Sequence, residues 1–82
     1  MTFLDWLPRQ ARRRDAIGDL ARDTRTDGDW PPPGKPTRAR LRAHLEARGA
    51  IPEALDALDA AWDEWDRDRR ETRDGTRGPR RP

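Results

Sequence analysis

The residue types that could support catalysis or metal binding are few in this chain of 82 residues. It contains one histidine, His44, and no cysteine, so a metal site or an acid–base pair would have to be built mainly from carboxylates. The one regular cluster of acids has a helical spacing, which places its members along one helix face; these candidates for an acidic face are Asp56, Asp59, Asp63 and Asp66. Arginines follow the last two at i+4, as is typical of solvated ion pairs. We therefore expect no catalytic residue, no metal, no cofactor and no enzyme activity.

One short segment is similar to the end of a phosphate-binding loop but lacks its requirements. Residues 34–37 are Gly-Lys-Pro-Thr, whereas that loop needs an earlier glycine, a lysine followed directly by Ser or Thr, and a preceding strand. Thr37 instead suits the N-cap of a helix, whose free backbone N–H groups attract anions. With cations beside it, this helix start is suited to a phosphate contact; the alternative is an ordinary arginine-rich surface.

Basic residues are concentrated in two stretches, 9–14 and 35–42. If the helices that carry them are neighbours, the two stretches form one patch that would suit the backbone of DNA or RNA without reading its bases. The residues of this candidate basic patch are Arg9, Arg12, Arg13, Arg14, Lys35, Arg38, Arg40 and Arg42.

The charge distribution favours a protein partner over nucleic acid. Residues 1–65 contain 11 Lys and Arg against 12 Asp and Glu, and the basic excess lies in residues 66–82, with 7 against 4. A near-neutral domain with a basic stretch and an acidic face could associate through these unlike surfaces, with itself or with another protein. A monomer whose charges only keep it in solution is the third alternative. We predict a non-catalytic protein–protein interaction module, with nucleic-acid backbone binding as the second hypothesis.

Membrane contact and secretion are not expected. No stretch approaches the roughly 18 consecutive apolar residues of a membrane span. Residues 1–5 lack the apolar region of a signal peptide. The expected location is the cytoplasm.

Apolar spacing and cap residues predict an all-α bundle of four helices, or five with a short helical turn near residues 29–34. Thr2, Asp15 and Thr37 suit N-cap positions, because their side-chain oxygens accept from the free N–H groups of the first turn. Glycines at 28 and 49 suit the left-handed positions that end the second and third helices. Pro8 would break a backbone hydrogen bond in the first helix, so that helix either begins later, near Asp5, or kinks.

The last apolar run, from Ile51 to Trp65, predicts the helix on which the others pack. Ile51, Leu55, Leu58, Trp62 and Trp65 follow one another at intervals of four and three residues, which gives one apolar stripe. His44 is expected half-buried at the edge of the face formed by Leu41 and Leu45. The predicted core is Phe3, Trp6, Leu7, Ile17, Leu20, Trp30, Leu41, Leu45, Leu55, Leu58, Trp62 and Trp65. Truncation of Trp62 to Ala should cost roughly 3–5 kcal/mol.

A set of residues along this chain resembles the YozE-like family, small bacterial proteins with a sterile-alpha-motif-like (SAM-like) helical fold. In chain order these are Phe3-x-x-Trp6-Leu7-x-x-Gln10, Asp15-x-Ile17-Gly18-Asp19-Leu20-Ala21-x-Asp23, Trp30-Pro31, His44-Leu45-Glu46, Gly49-Ala50 and Ala61-Trp62-x-x-Trp65. The departures are Trp30 where the family usually has Phe, Trp65 where it has Tyr, His44 where an aromatic residue is common, and Pro8. The resemblance implies a compact helical bundle and no particular activity.

Together these observations predict a compact SAM-like bundle of four to five short helices over residues 1–70. Residues 71–82, with several arginines among glycine and proline, have the composition of a disordered tail.

Overall fold

The structure is a computed structural model that describes the backbone of residues 1–75 and the side chains of residues 1–71. Four α-helices and one 3₁₀ helix follow one another along the described chain. They are α1 (Phe3–Trp6), a 3₁₀ helix (Leu7–Gln10), α2 (Ala16–Thr26), α3 (Arg38–Ala47) and α4 (Pro52–Gly75). The all-α prediction is confirmed, although α4 is a long helix of 24 residues. The additional short element is the 3₁₀ helix rather than the predicted helical turn near residues 29–34, which form only turns, bends and irregular backbone.

The chain accommodates Pro8 by changing helix type. Thr2 caps α1, and its hydroxyl oxygen accepts from the backbone N–H of Asp5 at 3.2 Å. The α-helix ends at Trp6, and the next four residues form the 3₁₀ helix, with Pro8 in its first turn. Proline is tolerated there because the N–H that it lacks would have no intrahelical partner. The first helix therefore neither starts late nor continues through the proline.

Helix α2 begins as predicted and ends differently. Asp15 caps it by accepting from the backbone N–H of Gly18 at 3.0 Å. The helix ends at Thr26, and Asp27 follows in an extended conformation. Positive φ angles occur only at Gly34 and Gly49 among the described residues, so the prediction of a left-handed cap at Gly28 was wrong. The extended Asp27 already leaves the helix, and no left-handed residue is needed.

Helix α3 has the predicted cap at each end. Thr37 accepts from the backbone N–H of Arg40 at 3.2 Å. Gly49 has a φ of +79°, and the N–H of Ala50 reaches back to the carbonyl of Leu45 at 3.0 Å. This arrangement satisfies carbonyls that the end of a helix leaves open.

Helix α4 is the element against which α1, α2 and α3 all pack. Ile51 precedes it and is 62% exposed, so its place in the predicted apolar stripe was wrong: a residue before the first turn need not follow the helix's period. At the other end α4 includes residues 71–75, which the sequence analysis assigned to the tail. The rest of the predicted tail, residues 76–82, lies outside the described part of the chain.

The core forms where the apolar faces of the helices meet on α4. Eight predicted core residues are buried: Phe3, Trp6, Leu7, Ile17, Leu20, Leu41, Leu45 and Leu58. Four others are partly buried and pack against these: Trp30, Leu55, Trp62 and Trp65. The sequence analysis missed Ala21, Ala57 and Ala61, which are almost fully buried. Small side chains at such fully buried positions allow close packing between elements, whereas large residues there would hold them apart.

Candidate interaction site

Arg13, the most enclosed arginine of the predicted basic patch, is committed to internal contacts. Its guanidinium binds Glu64 of α4 through two bonds of 2.7 and 3.1 Å, and it also reaches Asp15 at 2.7 Å. The hydrogen bonds from Glu64 and then Asp15 raise the pKa of Arg13 well above its usual value. The same bonds lower the pKa of Glu64 below its usual value, against the opposing effect of burial. Arg13 therefore fastens the segment before α2 to α4.

The arginines of α3 pair with the predicted acidic face itself. Nη1 of Arg42 lies 2.7 Å from Oδ2 of Asp59, and Nη1 of Arg38 lies 3.8 Å from Oδ1 of Asp63. Asp63 and Glu64 are adjacent, so their side chains diverge by about 100° around α4. The arginines of α3 thus reach one flank of α4 and Arg13 reaches the other. The main contacts of α3 are with α4, and those of the 3₁₀ helix are with α1 and α2, so direct packing between the elements that carry the two basic stretches is not among the main contacts.

The remaining charges of these two surfaces are exposed. Asp66 pairs with Arg69 at 2.7 Å and with Arg70 at 3.0 Å, and Asp56 has no ion-pair partner among the side chains that the structure describes. Within residues 1–71, the members of the predicted basic patch that form no ion pair are Arg9, Arg12, Arg14, Lys35 and Arg40, all exposed. The acidic face is therefore largely neutralised within the chain, and the predicted attraction between two whole surfaces is reduced accordingly.

His44 is a structural residue in a cluster that sequence analysis did not find. The Nε2–H of His44 donates to Oδ2 of Asp27 at 2.8 Å, since a carboxylate can only accept. Both side chains are largely enclosed, at 11% and 12% exposure. The hydrogen bond from His44, followed by one from the backbone N–H of Asp29, lowers the pKa of Asp27. The ring of Trp30 meets His44 edge-on at 5.6 Å. This cluster ties the segment after α2 to α3 and leaves the histidine enclosed.

An aromatic cluster lies between α1 and α4. The Phe3 ring centre is 5.9 Å from that of Trp6, 4.9 Å from that of Trp62 and 5.8 Å from that of Trp65. Trp62 and Trp65 are themselves 4.9 Å apart. Offset and edge-on pairs at these separations stabilise an aromatic core beyond the area that they bury.

A cleft of about 540 Å³ opens beside this cluster, and we refer to it as the aromatic cleft. It is lined by Met1, Trp6, Trp65, Asp68, Arg69 and Glu71. The indole N–H of Trp65 donates to the carbonyl of Met1 at 2.9 Å, and that of Trp6 donates to Oδ2 of Asp68 at 3.3 Å. The guanidinium carbon of Arg69 lies 5.0 Å from the centre of the Trp65 ring, a distance at which a cation is attracted to the ring face.

The chemistry of the aromatic cleft is that of a binding surface. Both indole N–H groups are already bonded within the chain, and Trp6 is only 7% exposed, so the open apolar area of the floor comes mainly from the partly buried Trp65 ring. Met1, 62% exposed, adds a flexible apolar side chain. The rim carries the carboxylates of Asp68 and Glu71. Sequence analysis missed this cleft because it joins residue 1 to residues 65–71, which are distant in the chain. The spacing of Trp65 and Arg69, i and i+4 on one helix face, is the local signal that points to it.

The described residues contain neither a metal-binding cluster nor a membrane-spanning helix. Within that part of the chain, no group of three or more His, Asp or Glu side chains could hold a metal ion. None of the helices in residues 1–75 combines the length and the apolar character that crossing a bilayer requires.

Four helices, with three shorter elements packed on a long C-terminal one and an aromatic core between them, define a small SAM-like helical domain. The sequence profile described as YozE SAM-like fold matches residues 2–67. The chain therefore belongs to the YozE SAM-like fold family. Searches of curated proteins and of solved structures gave no match.

Proposed function

We propose that this chain is a non-catalytic protein-interaction module of the cytoplasm. Its aromatic cleft would bind an extended segment of a partner protein in which an apolar side chain lies beside an arginine or lysine. The observation that carries the proposal is the composition of the cleft, where the apolar surface of Trp65 and Met1 meets a rim with two carboxylates, those of Asp68 and Glu71. Aromatic residues are enriched at protein–protein interfaces. Their rings supply apolar contact area, and the indole N–H supplies one polar group.

The floor supports an apolar ligand group. A ligand that brought a hydrogen-bond acceptor to Trp6 or Trp65 would have to displace Asp68 or the carbonyl of Met1. An aliphatic or proline side chain needs no hydrogen bond from the indoles. By packing on Met1 and on the part of the Trp65 ring that Arg69 leaves open, it removes exposed apolar area from water, which is worth about 25 cal/mol per Å².

The rim of the cleft favours a ligand in which a basic side chain lies next to the apolar one. Arg69, the one basic side chain among the described residues that line the cleft, is held by Asp66 at 2.7 Å and lies over the Trp65 ring. Asp68 and Glu71 have no ion-pair partner among the described side chains. A carboxylate next to an apolar surface favours a cationic ligand group, and complementary charge contributes more to specificity than to affinity.

The competing hypothesis, binding to a nucleic-acid backbone, has less support. Three of the eight residues of the predicted basic patch, Arg13, Arg38 and Arg42, are paired with carboxylates of α4. A phosphate would have to compete with those carboxylates. The exposed remainder of the patch, which includes Lys35 and Arg40, keeps this hypothesis testable.

A selection from random seven-residue peptides displayed on phage, with the full chain as bait, tests the proposal. Enriched peptides should combine an apolar residue with arginine or lysine, and they should shift the indole N–H signals of Trp6 and Trp65 in NMR spectra. The variant Asp68→Asn/Glu71→Gln should weaken their binding at least tenfold, since asparagine can still accept from Trp6 but carries no charge.

The matched control is Asp23→Asn/Asp56→Asn, which removes two exposed acids away from the cleft and should leave binding unchanged. Equal losses in the two variants would overturn the assignment to the cleft. A titration with duplex DNA that shifts Lys35 and Arg40 at 50 mM salt and loses this effect at 200 mM would favour the nucleic-acid hypothesis instead, because contacts with phosphates weaken steeply with salt.

A further inference from the structure

We infer that residues 78–82 of the chain itself occupy the aromatic cleft when no partner is bound, so that the protein regulates its own binding surface. Their sequence is Gly-Pro-Arg-Arg-Pro. This inference rests on the proposed function, since it supposes that the cleft accepts apolar groups beside arginines.

The chemistry of the segment matches the cleft in both parts. The rings of Pro79 and Pro82 are flat apolar groups, and prolines pre-order a segment in the extended conformation that aromatic grooves bind. Arg80 and Arg81 lie between the prolines, where their guanidinium groups can reach the rim carboxylates of Asp68 and Glu71. No acid follows Asp74 in the sequence, so nothing within the segment neutralises these arginines.

The distances permit this contact within one molecule. Helix α4 rises about 1.5 Å per residue, so Gly75, its last residue, lies roughly 15 Å along the axis from Trp65 and roughly 6 Å from Glu71. The five residues from 76 to 80 span up to about 17 Å when extended. The prolines and arginines can therefore return to every part of the cleft. They cannot reach the acids at the start of α4, since Glu53 is roughly 33 Å from Gly75.

Attachment to α4 favours this occupant over a second copy of the chain. A segment joined by a short linker has an effective concentration in the millimolar range. A contact with a millimolar dissociation constant would therefore be substantially occupied within one molecule and negligible between molecules at micromolar concentration. A partner protein would have to displace the segment. The partner's apparent association constant is therefore the intrinsic constant multiplied by the fraction of molecules in which the cleft is open.

Paramagnetic broadening in the full chain tests the inference directly. Because the protein has no cysteine, Pro82→Cys provides a single attachment point for a nitroxide spin label. We expect the indole N–H signals of Trp6 and Trp65 to lose at least half their intensity relative to the reduced, diamagnetic label. The amide signal of Ala43, on the exposed side of α3, should keep its intensity. The variant Arg80→Glu/Arg81→Glu with the same label should restore the indole signals.

A second sample separates contact within a molecule from contact between molecules. It mixes isotope-labelled chain without a spin label with spin-labelled chain at natural abundance. Broadening in this mixture would show that a second copy supplies the segment and would overturn the inference, as would full indole intensity in the first experiment.

The selected peptides distinguish failure of this inference from failure of the proposed function. If the segment occupies the cleft, Arg80→Glu/Arg81→Glu should bind those peptides several-fold more tightly than the unaltered chain. Equal affinities would show that the segment does not compete, while the peptide binding itself would leave the proposed function intact. Absence of peptide binding to both chains would instead contradict the proposed function.

Discussion

Gly18, in the first turn of α2, lies directly beneath the backbone carbonyl of Arg13. A Cβ atom added at Gly18 would lie 2.1 Å from the carbonyl oxygen of Arg13 and 2.7 Å from its carbonyl carbon. The same oxygen accepts a hydrogen bond of 2.9 Å from Nη1 of Arg22. The segment before α2 is therefore pressed against the helix start, and this position has room only for glycine.

The first prediction is that Gly18→Ala destabilises the domain by more than about 2 kcal/mol, despite the roughly 1 kcal/mol by which alanine favours a helix over glycine. The obstacle is backbone and cannot rotate away. Thermal unfolding followed by circular dichroism should show a fall in Tm of about 8 °C or more.

Gly28→Ala is the control for this prediction. An added Cβ at Gly28 meets no atom within 4 Å, and Gly28 does not have a positive φ. Alanine should be neutral or stabilise by up to about 1 kcal/mol, because it restricts the unfolded chain. Similar losses at both glycines would contradict the steric argument.

The second prediction concerns the aromatic cluster. Phe3→Ala should cost about 3–5 kcal/mol, since Phe3 is 1% exposed and contacts three tryptophan rings. Trp62 is only partly buried, so Trp62→Ala should cost less, at the lower end of the same range. Urea unfolding of both variants would compare them. A larger loss at Trp62 than at Phe3 would place the centre of the cluster on α4 and contradict the packing described above.

The third prediction is that stability falls in acid with a contribution that can be assigned to Glu64. The pKa values of Asp15, Asp27 and Glu64 are lowered in the folded chain, chiefly by hydrogen bonds from Arg13, His44 and Arg13 respectively. A carboxyl whose pKa is lower in the folded state stabilises fully above its unfolded pKa, about 4. That stabilisation is lost as the pH falls through the folded value.

Urea unfolding at intervals between pH 6 and pH 2.5 would measure this dependence. The chain should lose stability below about pH 4.5, and Glu64→Gln should show a shallower loss because it has one titrating carboxyl fewer. Asp56→Asn, at an exposed acid outside these contacts, should retain the slope of the unaltered chain. A Glu64→Gln chain with an unchanged slope would refute the assignment to the ion pair with Arg13.

The fourth prediction is that His44 is needed for its hydrogen bond. His44→Phe keeps an aromatic ring beside Trp30 but removes the donor to Asp27, whose carboxylate is largely enclosed. It should therefore destabilise the domain more than His44→Gln, whose amide can still donate. Hydrogen exchange should locate the change in the segment from Asp27 to Trp30 and in α3. If the phenylalanine variant is the more stable of the two, His44 serves only to fill space.

Local features of the chain were predictable from the sequence because they depend on neighbouring residues. Thr2, Asp15 and Thr37 cap their helices by bonding N–H groups three residues away, and the spacing of Leu58, Trp62 and Trp65 follows from the period of one helix. The exceptions arose at helix boundaries, at Gly28 after α2 and at Ile51 before α4. Helix ends depend on the direction the chain takes next, which a local pattern does not contain.

Tertiary structure decided which charges are available and where a surface opens. The sequence alone indicated a basic patch and an acidic face, but only the packing of α3 on α4 pairs Arg42 with Asp59. The aromatic cleft forms only because the part of α4 that carries Trp65 lies beside Met1, near the start of the chain. Charges and ring faces act over a few ångströms in space. Their partners are therefore decided by how the helices pack against one another, which a pattern along the sequence does not contain.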